Sequence, residues 1–245
     1  MRTLTIDIET SPHLAHVWGM WQNNVSLNQL MESGEVICFA AKWLGKKEII
    51  FRSVHHDGKE EMVRTAHELF DQADVLIHYN GDRFDIPHLN REFLEAGLAP
   101  PAPFHSVDLL RTVKKQFRFP SNKLDYVVQT LNIGAKATHT GHTLWVQCMA
   151  GDNKAWNLMR KYNKQDVVVT EKLFERLGPW IKNAPVAALY DQEASEDRCP
   201  ACGSYELKPR GYTYTKMSKY QRYVCECGKW SRSNKRSDYT NLMGI

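Results

Sequence analysis

In Leu4-Thr5-Ile6-Asp7-Ile8-Glu9 apolar and polar side chains alternate, which predicts a strand with Ile6 and Ile8 on one face and Asp7 and Glu9 on the other. Two further strand-like runs, over 36–44 and 48–54, are separated by Gly45-Lys46-Lys47, the mark of a hairpin. The period then changes. Met62, Val63, Ala66, Leu69, Phe70 and Ala73 make one stripe of an amphipathic helix over 59–73. The apolar run 75–79 reads as a buried strand that ends in Asn80-Gly81-Asp82, a turn before the helical pattern of 84–96.

Further along, a strand over 104–107 leads to Asp108, placed to cap a helix over 109–116. A helical segment near 124–131, a polar loop reaching Gly151 and helical periodicity over 153–177 follow, with an interruption expected near Asn163. Three strands, a helix, a strand, a helix, then a strand and helices imply an α/β fold, a mixed sheet with helices packed on it. Pro179 and the segment 183–197 read as an exit into a linker. The division expected is a larger domain over 1–190 and a small one over 191–245.

Composition narrows the class. A chain of 245 residues with 42 % apolar and 24 % charged residues suits one full globular domain plus a small appendage. The first residues enter a strand directly, unlike a signal peptide, and no apolar run approaches the roughly 20 residues of a membrane span. The expectation is a cytoplasmic protein without a membrane partner. The net charge of +4 is unevenly spread: from Cys199 onward nine Lys and Arg face three Asp and Glu. A basic tail is the electrostatic footprint of a polyanion binder.

That tail also carries Cys199-Pro-Ala-Cys202-Gly and Cys225-Glu-Cys227-Gly, 22 residues apart, with no histidine after His142. Paired cysteines at this spacing fit a four-thiolate Zn²⁺ site and resemble a zinc ribbon, although the second pair is one residue tighter than the usual Cys-x-x-Cys. A segment so poor in aliphatic residues needs such a staple to fold. Around the pairs, Lys208, Arg210 and Arg222 are interleaved with Tyr212, Tyr214, Tyr220, Tyr223 and Trp230, a mixture suited to phosphates and stacked bases. The same aromatics could fill the ribbon's core, and the ribbon could dock on a protein instead.

The chemistry lies in the first domain. Carboxylates that hold two divalent ions can activate water against a phosphodiester, and hard oxygen donors select Mg²⁺ or Mn²⁺. Asp7 and Glu9 supply adjacent ligands by pleat geometry, though such a pair also occurs on solvated strand faces. Asp85 follows a strand, where it could equally cap the next helix. Tyr162 and Asp166 share a helix face at i, i+4, where the tyrosine alone reads as a half-buried aromatic.

Together, Asp7-Ile8-Glu9-Thr10, Asn80-x-x-x-Phe84-Asp85 and Tyr162-x-x-x-Asp166 resemble the three motifs of the DEDDy branch of the ribonuclease H-like superfamily, which includes the proofreading domains of family B DNA polymerases. The similarity covers roughly 1–180. The sister branch has a histidine five residues before the last aspartate, where this chain has Lys161. The resemblance implies that Asp7 bridges two metals, that Glu9 and Asp166 complete the first site, and that Asp85 holds the second metal through water. It implies that Tyr162 orients the attacking water, with Thr10, Asn80 and Phe84 near the substrate's 3′ end. The implied activity is a two-metal 3′–5′ exonuclease acting on DNA more than RNA, free-standing or attached to a replication or repair assembly. A looser resemblance to stand-alone phage and bacterial proteins would place it in a host cytoplasm if phage-encoded.

Two competitors stand beside this reading: a ribonuclease H-like endonuclease, which would lack the Tyr-x-x-x-Asp element, and a non-catalytic nucleic-acid-binding adaptor. Trp18, Met20 and Trp21 could stack on a terminal base or simply pack, and His139 and His142 fit a polar surface loop.

Overall fold

The computed structural model describes residues 1–21, 24–134, 141–182, 184–190 and 197–243. The chain divides into two compact units, Arg2–Phe174 and Glu175–Ile245, Met1 being grouped with the second.

In the first unit, β1 (Thr3–Thr10), a small hairpin of β2 (Leu14–Ala15) and β3 (Leu30–Glu32), β4 (Val36–Trp43) and β5 (Ile50–Ser53) precede α1 (Lys59–Asp71). Then come β6 (Val75–His78), α2 (Asp85–Glu95), β7 (His105–Asp108), α3 (Leu109–Gln116), α4 (Leu124–Thr130), α5 (His142–Met149) and α6 (Asn153–Leu177). The main sheet runs β5-β4-β1-β6-β7. β1 pairs antiparallel with β4 and parallel with β6, and β7 is parallel to β6. This is the mixed sheet that the element order predicts.

Both faces of the sheet are covered. Leu4, Ile6 and Ile8 pack with Met62, Ala66, Phe70, Leu89 and Phe93 of α1 and α2. Ile37, Cys38, Ala40 and Phe51 pack with Leu144 and Cys148 of α5 and with Trp156, Met159, Tyr162 and Val167 of α6. Burial of these side chains drives the layering. It also means that Asp7 and Glu9, alternating with Ile6 and Ile8, lie on the α6 side of β1.

Two expectations are corrected. The interruption near Asn163 does not occur, and α6 runs without a break over Asn153–Leu177. Asn163 is fully buried, a polar residue within an apolar stripe, and on sequence alone that mimics a break. The polar stretch before Gly151 contains α5, which buries Leu144 and Cys148. Its eight residues give too few periods to stand out from a loop. His142 is the first residue of α5, while His139 lies outside the described residues, as do 191–196 and Asn183 of the expected linker.

The second unit holds a three-stranded antiparallel sheet, β8 (Leu207–Tyr214), β9 (Ser218–Cys225) and β10 (Trp230–Tyr239), in the order β10-β9-β8. Its core is small: among the residues of β8–β10 only Cys225 is buried. Among the described residues no helix is long and apolar enough to cross a membrane.

Candidate active site

Asp7, Glu9 and Asp166 each present a carboxylate oxygen such that these ligand atoms lie within 4.8 Å of one another. β1 supplies the first two from one face, and α6, crossing that face, supplies the third. Like charges so close repel unless a cation or protons intervene. Grouped hard oxygen donors of this kind fit a divalent ion of the Mg²⁺ or Mn²⁺ type.

α6 brings two more residues to the trio. The Tyr162 phenol hydrogen-bonds Asp166. Burial first, then the Asp166, Glu9 and Asp7 carboxylates, push that phenol well above its ordinary value, so it stays neutral. Trp145 meets the Tyr162 ring edge-on at 6.2 Å between centroids. Asn163 is the residue that sequence reasoning missed: its Nδ2 donates to the Asp7 backbone oxygen at 3.1 Å and to Asp7 Oδ2 at 2.7 Å. The usable signal was its place in the α6 stripe between Met159 and Asp166.

Asp85 sits apart from the trio but beside it in the chain framework. It is the first residue of α2, and its Oδ1 accepts from the Ile8 backbone N–H at 3.0 Å. β6 pairs with β1 only as far as Thr5, so beyond that point the Asp85 carboxylate serves as a partner for β1. Burial pushes the Asp85 carboxyl up to about 7, and Asp108 adds to this, while the Ile8 N–H pulls it down.

The turn that delivers Asp85 is braced from beneath. Asn80 adopts φ of +72°, a conformation that asparagine tolerates. Its N–H donates to Asp108 Oδ1 at 2.9 Å, and the same oxygen caps α3 through the Leu110 N–H, the role expected for Asp108. Gly81 N–H donates to His78 Nδ1 at 2.9 Å, and His78 Nε2 lies 2.8 Å from Ser106 Oγ. Because Nδ1 accepts, the ring proton belongs on Nε2 and points at Ser106, whose hydroxyl bonds Asp82. Arg111 closes the chain by pairing with Asp82 Oδ2 at 2.9 Å. Burial of His78 lowers its pKa and keeps the ring neutral in this role.

Of the remaining expected substrate contacts, Phe84 directly precedes Asp85, is 37 % exposed and packs against His88. Thr10 ends β1 at a shift in its register with β4. Trp18, Met20 and Trp21 stand almost wholly exposed after β2. Lys208, Arg210 and Arg222 belong to the second unit.

In that unit Cys199, Cys202, Cys225 and Cys227 converge, with all four sulfurs within 4.8 Å. The Cys199–Cys227 and Cys202–Cys225 sulfur distances are 3.7 and 3.6 Å. A tetrahedral ion with zinc–sulfur bonds near 2.3 Å requires about 3.8 Å between sulfurs, whereas a disulfide requires about 2.05 Å. The tighter second pair therefore still reaches the common centre, and the cluster fits a zinc ribbon. Gly203 N–H returns to Cys199 O and Gly228 N–H to Cys225 O, closing one turn on each side.

The family model described as RNase_H superfamily matches residues 28–178, more than half of the chain. That stretch includes Asp85, Tyr162 and Asp166 and begins beyond Asp7 and Glu9. No curated protein matches the chain. A solved structure, the family B DNA polymerase from the hyperthermophilic archaeon Pyrobaculum calidifontis, is similar with a TM-score of 0.57 at 16 % identity, covering 89 % of this chain and 33 % of the polymerase. The chain thus spans a third of that polymerase's length, and the likeness is one of fold. The matched family, the sheet order and the acidic trio agree: this chain belongs to the RNase_H superfamily, whose membership supports a metal-using nuclease.

Proposed function

We propose that this chain is a 3′–5′ exonuclease of the DEDDy type, hydrolysing phosphodiester bonds at 3′ or single-stranded ends of DNA and releasing nucleoside 5′-monophosphates. The observation that carries the reading is the meeting of Asp7, Glu9 and Asp166 with Tyr162, whose phenol is bonded to Asp166. Asp7, Glu9 and Asp166, with Asp85 alongside, would hold two Mg²⁺ or Mn²⁺ ions. Bound there, such ions activate water and offset the charge on the leaving oxygen.

The protein's own groups position the reactants. Burial and the three carboxylates favour the protonated phenol of Tyr162, whose O–H is directed at Asp166. With its O–H given to Asp166, the phenol oxygen is left to accept a hydrogen bond from the attacking water and aim it. Asn163 fixes Asp7 at two atoms. Phe84 offers a half-exposed ring next to Asp85 for the terminal base, with Asn80 in the same turn and Thr10 at the end of β1 as further contacts. Zn²⁺ is the ion we assign to the four cysteines, in a structural role. Attachment to a replication or repair protein fits the activity.

The test is incubation of 5′-labelled linear DNA, linear RNA and circular single-stranded DNA with Mg²⁺ or Mn²⁺. A ladder shortening from the 3′ end of linear DNA, with the circle intact, is the expected result. Cleavage of the circle would establish an endonuclease instead, and degradation of RNA alone would move the substrate class. No release from any of them would leave a binding protein.

A further inference from the structure

The three strands of the second unit sort their charges by face. Register places Lys208 opposite Val224, Thr213 opposite Tyr220, Trp230 opposite Val224, Arg232 opposite Arg222, Arg236 opposite Tyr220 and Tyr239 opposite Ser218. Since side chains alternate along a strand, all of these share one face. Ring contacts across the strands agree: Arg222 lies over Trp230 at 5.3 Å, Arg232 over Tyr220 at 4.1 Å and Arg236 over Tyr239 at 4.9 Å. Arg210 joins them, 5.7 Å from the same Trp230 ring.

This face therefore carries Lys208, Arg210, Arg222, Arg232 and Arg236 and, among the residues of β8–β10, no carboxylate. All five are exposed, and among the described residues none forms an ion pair. The opposite face differs. There Lys219 lies over Tyr212 at 4.1 Å and has a carboxylate-bearing residue, Asp238, opposite it in the register.

The packing limits what can bind. Five uncompensated cations on one small sheet repel each other and are relieved by a polyanion, with release of its counterions. A guanidinium laid on a ring keeps its outer plane free for stacking and its edge N–H groups free for phosphate oxygens. Stacking needs bases that are not already paired, so a duplex could use only the charges. We infer that the Lys208–Arg210–Arg222–Arg232–Arg236 face of the cysteine-bound sheet is a platform for single-stranded DNA, with bases stacked on the Arg222–Trp230 and Arg232–Tyr220 pairs.

The choice of DNA rests on the exonuclease reading above, while the platform itself does not. The test uses the full chain carrying Asp166→Asn, so that bound strands are not degraded, and a labelled oligothymidylate of about 15 nucleotides followed by fluorescence polarisation. Replacing Arg222 and Arg232 together by Ala is expected to weaken binding about tenfold or more and to flatten its salt dependence by roughly one unit of log–log slope per lost phosphate contact. Replacing both by Lys keeps the charge but not the plane. The Lys pair is expected to lose affinity for the single strand while duplex affinity stays unchanged. Lys219→Ala, on the opposite face, is the control and is expected to bind as the parent does, with zinc content unchanged in every variant.

Equal affinities for the Arg222/Arg232 variants and Lys219→Ala would overturn the inference. So would a duplex or oligouridylate bound more tightly than the oligothymidylate, or preference for a polyglutamate peptide over it. Binding is read without turnover, so the two readings fail separately: face-dependent binding by a chain that releases no nucleotide would sink only the exonuclease reading. Face-independent binding by an active chain would sink only this one.

Discussion

Asn163 Nδ2 bonds both the backbone oxygen and the carboxylate of Asp7, at 3.1 and 2.7 Å, and so ties the middle of α6 to the strand that carries two of the three clustered acids. A buried amide that orients a ligand-bearing carboxylate acts through that carboxylate, much as groups behind a metal ligand fix its direction.

Asn163→Ala removes both bonds and leaves Asp7 free to turn away from Glu9 and Asp166. The expected outcome is a ten- to a hundredfold loss of kcat, roughly, together with a weaker apparent Mn²⁺ affinity. The stability cost should be about 1–3 kcal/mol, small enough for a folded variant. A merely structural role would leave the Mn²⁺ titration of activity unmoved, so that titration is the measurement that decides.

Asp85 sets a pH dependence. Its carboxyl, ordinarily at 3.8, sits at about 7 in the folded chain, chiefly through burial. A raised value means the folded state binds the proton more tightly than the unfolded one. The stability from this group is therefore full below 3.8, declines as pH rises and is lost above about 7. The metal-free protein should lose on the order of 4 kcal/mol across that window, and Asp85→Asn should remove the slope. Denaturant melts of both proteins between those limits supply the check, and parallel profiles would contradict the assignment.

Gly81 is required by close approach rather than by backbone freedom. A Cβ there would lie 2.6 Å from His78 Nδ1 and closer still to its Cγ. Gly81→Ala must displace the His78 ring and break the Gly81–His78 bond on which the turn before Asp85 rests. A loss of about 1–3 kcal/mol is expected, with lowered activity at temperatures where the variant is still folded. Ser106→Ala, which removes the next link in the same chain, should give a milder version of both effects.

Much of this was legible in the sequence, for identifiable reasons. The alternation around Asp7 and Glu9 and the long stripe of α6 are strong periodic signals, and they place the acids correctly on a strand face and a helix face. The hairpin after β4, the α1 stripe and the Asp108 cap were legible for the same kind of reason. What was hidden depends on contacts between distant residues. Asn163 reads as a helix fault because its partner, Asp7, is 156 positions away. The bond from Ile8 to Asp85 spans 77 positions and has no local signature. On the second sheet simple alternation puts Arg232 and Arg236 on one face but would put Asp238 there too, and only the register shift between Arg236 and Asp238 moves that carboxylate to the other face.

The cysteine cluster predicts a metal dependence separable from that of the acids. Cys225→Ser removes one of four converging thiolates, and Cys225 is itself buried at the end of β9. Loss of bound zinc and rapid proteolysis within β8–β10 are expected, with residues of the first unit still protected. Zinc stoichiometry and the positions of the first cuts are the readouts, and retention of both zinc and protection would refute the assignment.

The most direct test of the central claim is release of labelled mononucleotide from 3′-labelled single-stranded DNA in Mn²⁺, comparing the wild-type chain with Asp166→Asn. The substitution keeps the size of the side chain while removing one charge from the Asp7–Glu9–Asp166 trio. The account predicts metal-dependent release by the wild type and a loss of about a thousandfold in the variant, equivalent to roughly 4 kcal/mol of transition-state stabilisation. Undiminished release by Asp166→Asn, or no release by the wild type, would contradict it.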